Sequence, residues 1–118
     1  MAKHLTTGRK GEDLAVTWLE SHGFSILHRN WRYSYFELDI IATRDHFLHF
    51  IEVKTRTGDL FGYPEEDVTV KKLKRMMQAG EEFQFQYPTW KWVQYDVLSI
   101  RLFEKREPEY FFIEDVSL

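Results

Sequence analysis

Cysteine is absent from the 118 residues, which excludes disulfides, thiolate catalysis and zinc sites built on Cys. Glycine and proline are sparse, at six and three residues, and several of them mark loops or helix ends. No apolar run approaches the ~18 residues that a membrane-spanning helix needs. Met1-Ala2-Lys3-His4 does not open a signal-peptide pattern, so the expectation is a cytoplasmic protein with no membrane attachment. An excess of basic charge is missing too. The formal net charge is -3 and the pI about 5.9, which is not the footprint of a strong non-specific DNA binder. The chain carries no repeats, no P-loop, no Rossmann glycine pattern and no nucleophile elbow. Its five histidines are scattered, and His46 and His49 have no Cys beside them to suggest zinc.

What the chain does have is 43% hydrophobic and 17% aromatic residues, enough for one core, and residues 1–118 read as a single domain. The centre of the pattern is Glu37 to Lys54. Phe36-Glu37-Leu38-Asp39-Ile40-Ile41-Ala42 and Phe47-Leu48-His49-Phe50-Ile51-Glu52-Val53-Lys54 flank a polar break at Thr43-Arg44-Asp45-His46, which reads as a β-hairpin. Strand alternation puts Phe36, Leu38, Ile40 and Ala42 on one face, with Glu37, Asp39 and Ile41 on the other. Glu52 and Lys54 share a face of the second strand. With an even-numbered connection and no bulge, Asp39 and Glu52 point the same way. Two acids and a Lys on apolar strands demand an explanation, because a lone buried carboxylate is costly. The acids can share a hard divalent cation. Equally, the three charges can lie on a solvated face, or Glu52 and Lys54 can pair at a sheet end.

Upstream, a helix is expected from Thr6 or Thr7, either a suitable N-cap, to a C-terminal cap at Gly23. Its apolar stripe is Gly11, Leu14, Ala15, Trp18 and Leu19. Projected at 100° per residue, Glu12 lies at the edge of that stripe and Asp13 on the opposite side, away from whatever the helix packs on. Gly8 and Gly11 suggest close backbone approach, to a partner or phosphate, or a loosely wound first turn. Phe24 to Arg32 reads as a strand. Thr55 to Pro64 reads as a polar loop, and a second helix is expected from about Glu66 to Gln84. Its stripe is Val70, Leu73, Met76, Met77, Gly80 and Phe83, with Lys72 on the border and Lys71, Lys74 and Arg75 facing solvent or phosphate. Trp92 to Ile100 is a strand whose Asp96 reads as a buried acid paired with backbone or an Arg. Tyr110 to Ile113 is a short last strand, placed at an edge. Trp31, between Asn30 and Arg32, can be core or can stack on a base. The order α-β-β-β-α-β-β implies an α/β fold, a central mixed sheet flanked by helices.

Taken together, Gly8-Arg9-Lys10-Gly11-Glu12, Asn30-Trp31-Arg32, Glu37-Leu38-Asp39-Ile40-Ile41-Ala42, Ile51-Glu52-Val53-Lys54-Thr55-Arg56, Phe61-Gly62, Val68, Lys72 and Asp96-Val97 resemble the YraN-like uncharacterised protein family. The resemblance covers roughly residues 8 to 100. It rests on the order and spacing of pieces such as GxxGE, NxR, GExDLIA and VEVKxR. That family looks like part of the PD-(D/E)xK nuclease superfamily, with the restriction-endonuclease-like fold, and is similar to archaeal-type Holliday-junction resolvases. The resemblance implies a metal-dependent endonuclease acting on nucleic acid, DNA first, including branched or repair DNA. It assigns catalysis to Asp39, Glu52 and Lys54. It assigns Mg²⁺ or Mn²⁺ to Glu12, Asp39, Glu52 and the Val53 carbonyl, and nucleic-acid contacts to Arg32, Thr55, Arg56 and Lys72. A resolvase-like role implies a homodimer. Phe36 replaces the family's usual Gly, and Gln94 replaces an Arg that would otherwise be a partner for Asp96. Two other classes compete with an enzyme: a nucleic-acid-binding module without catalysis, and an interaction subunit docking through its aromatic last strand.

Overall fold

The computed structural model describes residues 3–58 and 63–117, with the side chains of 3–9 and 67 outside that description. The elements run α1 (Lys3–Ser21), β1 (Ser25–Tyr33), β2 (Phe36–Arg44), β3 (Phe47–Thr57), a 3₁₀ turn (Pro64–Asp67), α2 (Val70–Gln86), β4 (Trp92–Leu102) and β5 (Glu109–Ile113). The strands form one five-stranded sheet in the order β1-β2-β3-β4-β5. All neighbours are antiparallel except β3 and β4, which run parallel in unbroken register from Phe47↔Trp92 to Thr57↔Leu102. A parallel pair needs a crossover, and α2 supplies it. This is the α/β arrangement expected from the element order, a central mixed sheet with a helix on each side, and β5 lies at one edge.

Each face of the sheet carries one helix and one core. Ala15 and Leu19 of α1 pack with Ile40, Ala42, Ile51, Leu98 and Ile100. Ala79 and Phe83 of α2 pack with Leu38, Ile41, Leu48 and Phe50 on the other face. Near-continuous burial of Asp96 to Ile100 fits a strand covered on both sides. Two glycines let the helices seat. A methyl at Gly11 would collide with the Thr55 side chain, and one at Gly80 would collide with the Tyr95 hydroxyl and Phe50. The close approach at Gly11 is therefore to the chain's own sheet. Gly8 lies outside the described side chains.

Several boundaries differ from the sequence reading. α1 starts at Lys3, so Thr6 and Thr7 lie within it rather than capping it. Gly23 ends it at φ +88°, and the Phe24 N–H donates to the Leu19 carbonyl at 3.0 Å, a left-handed cap. α2 begins at Val70 rather than near Glu66. Thr69 is extended and its side chain accepts from the Lys72 N–H, so the acids before it form a separate short turn. In the α2 stripe, Ala79 is buried and Val70 is exposed. Thr55 and Arg56 belong to β3 rather than to a loop, because β3 keeps pairing with β4 as far as Thr57. Phe61 and Gly62 lie outside the described residues. Trp31 packs edge-on against Phe83, with ring centroids 5.4 Å apart, as a core residue.

Candidate active site

The hairpin of β2 and β3 closes through Asp45 and His46, both at positive φ (52° and 71°). That is the two-residue primed turn whose twist matches the strands. The even count sets the register from Arg44↔Phe47 to Ile40↔Ile51. There the ladder ends, although both strands continue. Beyond that point Asp39 uses its side chain in place of its backbone: the Val53 N–H donates to Asp39 Oδ2 at 2.8 Å. The strand's alternation breaks at the same place. Ile40 and Ala42 face α1, whereas Leu38 packs with Ile41 against α2. The even face expected for Phe36, Leu38, Ile40 and Ala42 is therefore split at Asp39. The cause is physical: β2 leaves β3 there, and the freed N–H of Val53 is satisfied by a carboxylate.

The Asp39 and Glu52 carboxyl groups are near enough to act on each other's ionisation and to hydrogen-bond when one of them is protonated. Such a bond needs one proton between two acids. Burial pushes the Glu52 carboxyl up to about 7, and the neighbouring Asp39 charge adds to this, while Lys72 and Lys54 oppose it. Burial also raises Asp39, but the Val53 N–H favours its ionised form. The shared proton therefore resides on Glu52, the member without a backbone donor.

The remaining residues arrange themselves around this pair. Lys54 is half-buried on β3, on the Glu52 face by alternation, and its charge acts on Glu52. Lys72, in the first turn of α2, lines a small cavity with Glu52, Thr69, Val97 and Val116. Glu12 comes from the other face, on α1. Its Oε1 accepts from Asn30 Nδ2 at 2.7 Å and Arg29 Nε at 3.2 Å. Its charge also acts on Asp39. Because Glu12 arrives from the α1 side and Glu52 from the α2 side, no three acidic or histidine side chains converge as a metal-binding group among the described residues. Thr55 is half-buried beneath α1 against Gly11. Arg56 is half-buried on β3, and exposed Arg32 lies 3.6 Å from Glu37.

Three features escaped the sequence. Arg29 ties Glu12 and Asp13 together, reaching Asp13 at 2.6 Å, so Asp13 does meet the sheet through a long partner. Asn30 sits at φ 52°, a left-handed position that Asn tolerates, and its side chain donates to Glu12. The NxR motif held that signal. Third, His49 is buried and its Nδ1 lies 2.6 Å from Asp96 Oδ2. Asp96 Oδ1 accepts from Gln94 Nε2 and from the Asp115 N–H, each at 2.9 Å. Asp96 is thus the structural acid expected, with a His in place of an Arg. Gln94 supplies a partner to Asp96 rather than removing one.

The chain thus combines an α/β fold with two neighbouring carboxylates where the β2–β3 ladder ends and a lysine two residues after Glu52. Residues 11–100 match the uncharacterised protein family UPF0102, the YraN family, and the chain belongs to it. It is 43% identical over 104 residues to a UPF0102 protein of Bacteroides thetaiotaomicron, covering 85% of this chain and 83% of that one. It is 41% identical to a UPF0102 protein of Mycolicibacterium vanbaalenii, covering 93% and 92% of the two chains. It is 39% identical to one of Rhodococcus opacus, covering 98% of each. Among the described residues, no helix is long and apolar enough to cross a membrane.

Proposed function

We propose that this protein is a metal-dependent endonuclease that hydrolyses phosphodiester bonds in nucleic acid, with branched or repair DNA as the first substrates to test. The observation that carries the reading is the Asp39–Glu52 pair at the end of the β2–β3 ladder. A shared proton between two half-buried acids marks a place where positive charge is wanted, and two carboxylates are the hard oxygen donors that Mg²⁺ or Mn²⁺ prefers. Asp39, Glu52 and the Val53 carbonyl would hold the ion, with Glu12 joining on release from Asn30. When bound, the cation supplies Lewis-acid stabilisation and a more acidic water.

The chain's own residues do the rest. Lys54 places a positive charge beside the carboxylates, where a developing phosphorane charge would be stabilised. Lys72 reaches the same point from α2, and Arg56 and Arg32 would support flanking phosphates, whereas Thr55 is taken up by its packing against Gly11. Asp39 holds the end of β2 to β3 through the Val53 N–H, keeping the two acids adjacent.

The test is cleavage of single-stranded, duplex, flap and four-way-junction DNA and RNA with Mg²⁺, Mn²⁺ or EDTA. Wild type should cut at least one substrate. Asp39→Ala and Lys54→Ala should bind it without cutting, and EDTA should stop the reaction. A second reading, a binding module without catalysis, draws on the commitment of Glu12 to Arg29 and Asn30. It predicts no cleavage by wild type, with binding indifferent to both substitutions.

A further inference from the structure

The outer face of α2 has a charge pattern that mirrors itself. Counting outward from Gln78, Lys74 and Arg75 lie on one side and Glu81 and Glu82 on the other, at matching distances. Lys71 and Phe85 form the next symmetric positions. Lys71, Lys74, Arg75, Gln78, Glu81 and Phe85 are all exposed, and Phe85 is 82% exposed. At helical spacing these residues share one stripe centred on Gln78, opposite the buried Leu73, Met76, Ala79, Gly80 and Phe83. Lys71, Lys74, Arg75 and Glu81 make no ion pair within the chain among the described residues. Beside the stripe, Phe85, Tyr35 and Phe36 border an open cleft of 410 Å³ with Gln78, Glu81 and Glu82. Tyr35 is 87% exposed.

A helix with a basic first half and an acidic second half is complementary to its own antiparallel copy. We propose that α2 pairs with α2 of a second copy of this chain about a twofold axis passing beside Gln78. In that arrangement the contact is isologous, with the same residues on both sides. On one flank of the seam Arg75 faces Glu82 of the other copy. On the opposite flank Lys74 faces Glu81 of the other copy. Symmetry doubles each pair, giving four complementary contacts of the kind that sets orientation in paired helices. Lys71 falls against Phe85 of the other copy, a cation beside an aromatic face. The aromatic cleft next to Phe85 is covered by the same approach, and an exposed apolar patch is otherwise a liability. A parallel arrangement would set like charges against each other. The inner face of α2 keeps its packing on the sheet, so Lys72 and Glu52 remain outside the interface. The inference does not depend on the nuclease reading.

A 17-residue helix is about 25 Å long, and one helix pair is a small interface. The dimer is therefore weak and salt-sensitive, with a dissociation constant on the order of 10–100 µM at low ionic strength. Sedimentation equilibrium on the full chain measures it. Lys74→Glu places two like-charged pairs in the seam and should weaken dimerisation at least tenfold. Glu81→Lys alone should do the same. The double variant Lys74→Glu/Glu81→Lys restores opposite charges in both copies and should recover the dimer, which a folding defect would not allow. Since the chain has no cysteine, Gln78→Cys gives a second test. Mild oxidation should cross-link it far faster than the exposed control Ser21→Cys. A monomer at several hundred micromolar, a dimer indifferent to the single charge reversals, or equal cross-linking at both cysteines would overturn the proposal. A monomer whose nucleic-acid binding is lost on Lys74→Glu would overturn it in favour of a phosphate-facing helix.

Discussion

Glu52→Gln should make this protein more stable at alkaline pH while leaving its stability near pH 4 almost unchanged. The Glu52 carboxyl ionises near pH 7 in the folded protein and near 4.5 when solvated. Between those values the folded state holds a proton that the unfolded state has released. Stability must then fall as pH rises through this window. The favourable contribution is complete below about pH 4.5 and is lost by the time the folded carboxyl ionises. The gap corresponds to about 3 kcal/mol at most, and solvent reaching half-buried Glu52 screens it to about 2 kcal/mol. For a domain of this size that is a Tm difference of about 8 °C. Gln keeps the shape and a hydrogen bond to Asp39 without the charge, so the loss should vanish. The assay is thermal or urea unfolding of wild type and Glu52→Gln from about pH 4 to pH 8.5. Parallel stability profiles for the two proteins would refute the shared-proton argument. Millimolar Mg²⁺ adds a second arm: a cation replaces the proton, so it should raise the wild-type Tm near pH 8, have little effect near pH 5, and do nothing for Glu52→Gln.

Asp96→Ala should cost about 3 kcal/mol, because it strands buried His49 and Gln94 and frees the Asp115 N–H. Its tail should lose protection first, read as faster hydrogen exchange at the Val116 amide, which donates to Tyr95. Gly11→Ala should destabilise by about 2 kcal/mol through collision with Thr55, and Thr55→Ala in the same chain should recover much of that in a double-mutant cycle. Thr69→Ala should cost about 1 kcal/mol by removing the α2 cap, with chemical denaturation as the measure.

Much was legible in the sequence because it depends on local rules. Apolar runs either side of the polar break Thr43 to His46 specify the hairpin, but parity alone allows a turn of two or four residues, and it is the pairing of Thr43 and Arg44 with β3 that leaves Asp45 and His46 as the turn. Gly23 marks the end of α1, and the spacing from Leu73 to Phe83 marks the buried face of α2. The nearness of Asp39 to Glu52 follows from the same register. The palindromic charges about Gln78 are also plain in the chain, although only the exposed helix face gives them meaning.

Tertiary structure decided the rest. Strand alternation assumes a continuous ladder, and nothing local to Leu38-Asp39-Ile40 says that β2 leaves β3 there. The break turns Asp39 into a cap for the Val53 N–H and divides its neighbours between two cores. The partners of Glu12, Arg29 and Asn30 lie 17 and 18 residues away, and those of Asp96 come from β3 and from the tail. Residue type tells how much a buried charge must be satisfied. Which group satisfies it depends on distances between separate elements, and those exist only once the sheet has formed.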